Sequence, residues 1–211
     1  MESASESTGS RGAKAILQSP TVIFSMTLIA VYIIIGTIVG DYFQPVTQET
    51  LQQNVILDLL VQCDAPTPIL PWTIITAIFL HASILHIASN LFFLLFFGFI
   101  LEEQVTKSRW VTTFFITGLV GSLGFVAYDL LGYSLTGAPN ASSLDCAVGA
   151  SGAIYGIMGT AVGLKVVLLL IFLLGLDIFA NGGGPAHLGG LVAGLVLRRY
   201  WSLGGGTFRG I

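Results

Sequence analysis

From Thr21 to Gly40 the chain runs twenty residues without a charge. A helix of about 20 apolar residues spans the ~30 Å hydrocarbon core of a bilayer. Inside hydrocarbon such a run has to satisfy its own backbone N–H and C=O groups, which a helix does and an irregular segment does not. Four more apolar runs follow, at 72–101, 110–131, 149–180 and 186–201. Hydrophobic residues make up 54% of the chain and charged residues only 9%. Soluble domains carry about 25% charged residues, so an integral membrane protein is expected.

Eight basic residues in 211 are too few to build a nucleic-acid surface. No Gly-rich phosphate loop ending in Lys-Ser/Thr is present, and no His-Glu-x-x-His metal motif, so neither a cofactor nor a metal is expected. No internal repeat is evident. The first twenty residues, "MESASESTGSRGAKAILQSP", are polar and Ser-rich and read as a disordered tail, residues 1–20. The uncharged run behind them reads as a retained helix rather than a cleaved signal peptide.

The run at 149–180 has 32 residues, too long for one span, and holds one charge, Lys165. A tight turn at Lys165 gives six helices within 21–201, a first outer loop at 41–71, and a C-terminal cytoplasmic tail at 202–211. Arg11, Lys14, Lys107, Arg109, Lys165, Arg198, Arg199 and Arg209 then all fall on one side. Asp41, Glu49, Asp58, Asp64, Asp145 and Asp177 fall on the other, with Asp129 at a helix end. With five helices, Arg198, Arg199 and Arg209 would change sides. Because Lys and Arg mark the cytoplasmic face, the expected fold is an all-α polytopic membrane protein, a six-transmembrane-helix bundle with both termini cytoplasmic. Cys63 and Cys146 both land in outer loops. There they are able to pair as a disulfide, with two free thiols as the alternative.

Ionisable side chains within spans are costly and point to function. All three histidines, His81, His86 and His187, lie in or at the start of apolar runs. In "HASILHIASN" (81–90), His86 and Asn90 are four apart and share a helix face. They are either a polar pocket or interhelical glue. In "VGASGAIYGIMG" (148–159), Ser151 is flanked by glycines, and a hydroxyl bonded back to its own helix is the plain alternative. In "GPAHLGGLVAGLV" (184–196), His187 opens the last helix, and Gly190 and Gly194 continue its stripe. Gly152, Gly156, Gly159 and Gly163 form a similar stripe after Ser151. Two such stripes let helix backbones approach closely, bringing helix four against helix six with Ser151 and His187 at similar depth. A Ser hydroxyl near an imidazole is the minimum for a base-activated nucleophile. Tyr155, one turn below Ser151, is positioned to pack on the imidazole.

"GASG" around a serine, "HxxxN" on an earlier helix and "AHxxGxxxG" on the last helix, in that order, resemble the rhomboid intramembrane serine proteases. The resemblance covers 72–201 well and the first helix loosely. It implies Ser151 as nucleophile and His187 as general base. It implies His86 and Asn90 as oxyanion-side groups, with the Ser151 backbone N–H as a further donor. His81 matches a second histidine often found before that pair, Gly149 the opening glycine, and Tyr155 the aromatic that stacks on the base. Glu102, four after Gly98, matches a glutamate that ties loop structure together. Two departures stand out. Residues 41–71 lack the Trp-Arg pair that the family commonly carries in its first outer loop, and Lys165 alone marks the turn where a polar loop is usual.

The expected function is that of an intramembrane serine endopeptidase with a Ser-His dyad. It would cleave single-pass transmembrane proteins in the bilayer with water as second substrate, in the inner or plasma membrane of a prokaryotic cell. A catalytically inactive relative that binds membrane helices, and a small transporter or channel using the same polar residues, are the alternatives. An aspartyl protease would need two buried aspartates. "AYD" (127–129) and "GLD" (175–177) only faintly resemble its motifs.

Overall fold

The structure is a computed structural model that describes residues 16–63, 70–137, 146–174 and 183–203. The first helix, α1 (Pro20–Val39), begins one residue earlier than the apolar run suggests, because Ser19 caps it. Ser19 Oγ accepts from Val22 N–H at 3.2 Å, and Pro20, which has no N–H to lose, takes the first helical position. Gly40, with φ +80, closes the helix through its N–H to Gly36 O at 2.8 Å. Of the disordered tail expected over 1–20, residues 16–20 lie among the described residues and Pro20 already belongs to α1, while residues 1–15 lie outside them.

Of the first outer loop expected at 41–71, residues 41–63 fold into two short helices, α2 (Gln48–Gln53) and α3 (Val55–Asp58), and a two-residue strand, β1 (Gln62–Cys63). It packs without a Trp-Arg pair. Ile35, Leu57, Val61 and Leu80 form a small core of their own beneath it. Tyr32 Oη donates to Tyr42 O at 2.9 Å, and Trp72 Nε1 donates to Leu59 O at 2.8 Å. A short helix, α4 (Thr73–Thr76), and one 3₁₀ turn lead to α5 (Ile84–Glu102), which Ser83 caps. Then come α6 (Lys107–Thr136), a second short strand β2 (Cys146–Ala147), α7 (Ser151–Leu174) and α8 (Gly184–Tyr200). The strands pair antiparallel, Gln62 with Ala147 and Cys63 with Cys146, and the two cysteines form a disulfide.

Among the described residues, four stretches are long and apolar enough to cross a membrane: Pro20–Val39, Ile84–Glu102, Lys107–Thr136 and Ser151–Leu169. Their outer faces carry exposed Ile33, Ile34, Phe92, Phe96 and Leu168. Such a surface is unfavourable in water and neutral in hydrocarbon. The fourth stretch is not one straight helix. Gly163 has φ +76 and ψ 170, so the helical ladder stops there. The expected turn at Lys165 is therefore displaced to Gly163. The reason is steric: only glycine takes this conformation cheaply, and a Cβ here would stand 2.9 Å from Arg198 Nε. Lys165 lies just beyond, exposed. The carbonyls freed at the break are capped from other elements. Arg198 Nη1 donates to Thr160 O at 2.7 Å and Ala161 O at 2.8 Å, and Gln104 Nε2 donates to Ala161 O at 3.0 Å. A cation at a helix C-terminus also complements the helix dipole.

The glycine stripes bring α7 and α8 into backbone contact. A Cβ on Gly190 would fall on the Gly152 carbonyl, and one on Gly194 on the Gly156 carbonyl. Hydrogen bonds reinforce the packing: Thr160 Oγ1 donates to Gly194 O at 2.9 Å, and Thr117 Oγ1 on α6 donates to Ala153 O at 3.2 Å. In lipid, where apolar burial gives no drive to pair helices, close van der Waals contact and such bonds supply it. Asp129, expected at a helix end, lies well inside α6 and is buried, because that helix continues to Thr136. Asp177 lies outside the described residues.

Candidate active site

Ser151 opens α7 because the chain ahead of it cannot be helical. Gly149 has φ +122, and its N–H is committed to Ala77 O at 2.9 Å. The first backbone bond of the helix runs from Ile154 N–H to Ala150 O at 2.9 Å. The Ser151 N–H therefore precedes the ladder, at the end of the helix that carries partial positive charge.

His187 sits in the first turn of α8, its N–H bonded to Gly183 O at 2.9 Å. With α7 and α8 in backbone contact, Ser151 Oγ and His187 Nε2 come to 2.8 Å. The Tyr155 ring stacks on the imidazole at 4.6 Å between centroids and 21° between planes. A Cβ on Gly183 would stand 2.8 Å from His187 Cε1, so the ring also rests against that backbone.

His86 is in the first turn of α5, where its N–H donates to the capping Ser83 Oγ at 3.2 Å. Its Nδ1 accepts from Ala82 N–H at 3.4 Å. A neutral imidazole that accepts at Nδ1 carries its proton on Nε2. That nitrogen faces Gly149: the position a Cβ would occupy there is 2.8 Å from His86 Nε2 and 3.9 Å from Ser151 Oγ. The absent side chain leaves open space between a ring N–H and a hydroxyl. Asn90 is buried one turn further along and gives one amide hydrogen to His86 O at 2.9 Å. His86, Asn90, Ser151, Tyr155 and His187 share the wall of a cavity of about 790 Å³, with Met158 among its apolar lining.

The other residues singled out from sequence lie around this group. His81 is buried and meets His86 edge-on at 5.1 Å, without lining the cavity. Gly190 and Gly194 carry helix packing. The resemblance assigns Glu102 to loop structure. Here its Oε1 accepts from Ser19 Oγ at 2.6 Å and from Thr21 N–H at 2.7 Å, so it ties α5 to the start of α1. Three contributors escaped sequence reasoning. Gly183 could have been found from the "GGGP" run, where close backbone approach is cheap. Gln62, buried with Nε2 donating to Ser122 O at 3.3 Å, carried no sequence signal. Arg198 was read for its charge alone.

A multi-pass bundle of apolar helices with a serine, histidines and an asparagine gathered on one open cavity defines an integral membrane protein with a built polar site. The model of the rhomboid domain matches residues 70–203. The chain belongs to the rhomboid family. It is 29% identical, over 60% of its length, to RHOMBOID-like protein 1 of Arabidopsis thaliana, and covers 33% of that protein. It is 30% identical, over 62% of its length, to Rhomboid-like protease 3 of Toxoplasma gondii, covering 52%. It is 28% identical, over 60% of its length, to the putative rhomboid protease YdcA of Bacillus subtilis, covering 65%. Plant, apicomplexan and bacterial proteins thus all stand among its relatives, and the chain spans a third to two thirds of their lengths.

Proposed function

We propose that the chain is an intramembrane serine endopeptidase that cleaves transmembrane segments of single-pass proteins, with Ser151 and His187 as a dyad. The observation that carries this reading is the 2.8 Å contact between Ser151 Oγ and His187 Nε2 inside the cavity that His86 and Asn90 share. For the hydroxyl to donate, Nε2 is unprotonated and the ring proton sits on Nδ1. Ser151 Oγ attacks the peptide carbonyl as its proton passes to His187 Nε2. The C–N bond then breaks, and the leaving amine takes that proton. Water attacks the acyl-enzyme by the same route in reverse. Charge on the carbonyl oxygen develops in the space beside Gly149, where His86 Nε2–H, the Asn90 amide and the Ser151 N–H are the donors. A positioned oxyanion donor contributes about 3–4 kcal/mol to the transition state. A substrate helix protects its own backbone with hydrogen bonds, so it has to unwind locally before cleavage. Small or helix-breaking residues near the scissile bond favour that.

Six spans with both termini cytoplasmic complete the proposal, in a cell membrane. The break at Gly163 supports it by dividing the run after Ser151 in two. Between Ser151 and the break there is about 18 Å of helix, short against a ~30 Å core, so Ser151 begins inside the membrane rather than at its surface. Lys165 beside the break avoids the penalty of about 2.5–3.5 kcal/mol that insertion scales assign to lysine at mid-membrane. The described chain has no free cysteine. A membrane-impermeant thiol reagent applied to intact cells is expected to label Ser134→Cys and to miss Lys165→Cys. Labelling of both, or of position 165 alone, rejects the topology. For the chemistry, a serine-reactive fluorophosphonate is expected to label the purified protein at Ser151 and nowhere else. A folded protein that stays unlabelled would instead be a membrane-helix-binding relative.

A further inference from the structure

The disulfide takes no part in the chemistry above, yet it touches the site. Cys146 lies on the cavity wall five residues ahead of Ser151, and Val148 follows it there. Its partner Cys63 ends the strand that closes the folded 41–63 segment. Between the bridge and the nucleophile runs Cys146–Gly149, whose Gly149 end lies against the His86 ring. Among the described residues it is held by a two-residue ladder to β1, by the Gly149 N–H to Ala77 O bond, and by packing of Cys146 and Val148 on the Ile35, Leu57, Val61 and Leu80 core. A two-residue ladder is too short to be stable by itself. The covalent link therefore adds to what keeps Cys146–Gly149 in register against β1. By contrast, the first half of α7 is held against α6 and α8 by Thr117, Thr160, Arg198 and the glycine contacts, none of which involve the cysteines. Both cysteines are half-buried.

We propose that the Cys63–Cys146 disulfide is a positioning clamp for the oxyanion wall, so that turnover is switched down by dithiol reductants without unfolding the bundle. The proposal rests on the peptidase reading. A dithiol supplies the electrons. Its thiolate attacks one sulfur, the S–S bond breaks, and the departing cysteine thiolate takes up a proton. The second thiol of the reductant then displaces the mixed disulfide. The protein gains two electrons and two protons as two thiols, and the reductant leaves as its own disulfide. Once freed, Cys146–Gly149 keeps only the short ladder, one backbone bond and side-chain packing, and the Gly149 wall shifts relative to His86. Shifts near 1 Å in a catalytic constellation are enough to lose about 10²-fold in rate.

The test uses the full-length oxidised protein in detergent with a transmembrane substrate. Dithiothreitol is added to the folded protein, free thiols are counted, and kcat, KM, fluorophosphonate labelling and the thermal midpoint are measured. The expected result is two thiols per chain and a kcat lowered at least about tenfold. KM changes little, the cooperative thermal transition is retained, and activity returns on reoxidation with oxidised glutathione. The Cys63→Ser/Cys146→Ser double variant is expected to match the reduced protein and to ignore the reductant. Reduced protein that cleaves at the oxidised rate overturns the clamp and leaves the peptidase reading standing. A rise in KM alone, or loss of the thermal transition together with activity, also overturns positioning in favour of a substrate-binding or purely structural bridge. A bridge that resists the dithiol until the chain unfolds overturns the redox control. Oxidised protein that neither labels nor cleaves overturns the peptidase reading, and the clamp with it.

Discussion

Ser151→Ala and His187→Ala are each expected to reduce cleavage of a transmembrane substrate to less than about one-thousandth of wild type, because nucleophile and base act as one unit. The two losses should not add: the double variant is expected to be no worse than either single one. Both variants should stay folded. Ser151 opens a helix, so removing its hydroxyl deletes no interhelical bond beyond the one to His187. His187→Ala leaves Tyr155 without its stacking partner, yet the glycine contacts between α7 and α8 persist. Steady-state cleavage by purified protein in detergent, with thermal unfolding as the control, measures both effects. Near wild-type turnover by Ser151→Ala would end the peptidase reading.

The second large effect is expected at His86. Its Nε2 faces the space beside Gly149, and a lost oxyanion donor lowers kcat about 10²–10³-fold. Because that contact strengthens as charge develops, His86→Ala should lower kcat far more than it raises KM. Asn90→Ala is expected to lose less, about tenfold, since one of its amide hydrogens is already held by the His86 carbonyl. If either change raises KM and leaves kcat alone, the residue binds substrate or supports structure, and the oxyanion assignment falls. Single-turnover measurements separate the two cases.

Much of the frame can be read from the chain alone, because lipid leaves few choices. Twenty uncharged residues at Thr21–Gly40 have to form a helix whatever surrounds them, and the described helix differs from that run by one residue at each end. Helical periodicity likewise puts His86 with Asn90, and Gly190 with Gly194, on common faces before any packing is known. Local rules stop where long-range contacts begin. Charge drew the expected turn to Lys165, but the break fell at Gly163, where a left-handed backbone and the Arg198 side chain meet. The resemblance implies a structural, loop-tying role for Glu102, and only the packed structure names its partner, a helix start 81 residues away in sequence. The cysteines stood as either paired or free, and their pairing depends on two loops meeting as strands.

What the sequence by itself determined is therefore the membrane character of the chain and which side chains share a helix face, since both follow from hydropathy and a 3.6-residue period. The tertiary structure alone decided where the serpentine path breaks, which loop holds the segment before Ser151, and that a hydroxyl and an imidazole 36 residues apart come to 2.8 Å. The physical reason is that these distances are set by backbone-to-backbone contact at Gly152, Gly156, Gly190 and Gly194. A glycine records in sequence that close approach is permitted, but only the packed bundle records which backbone approaches.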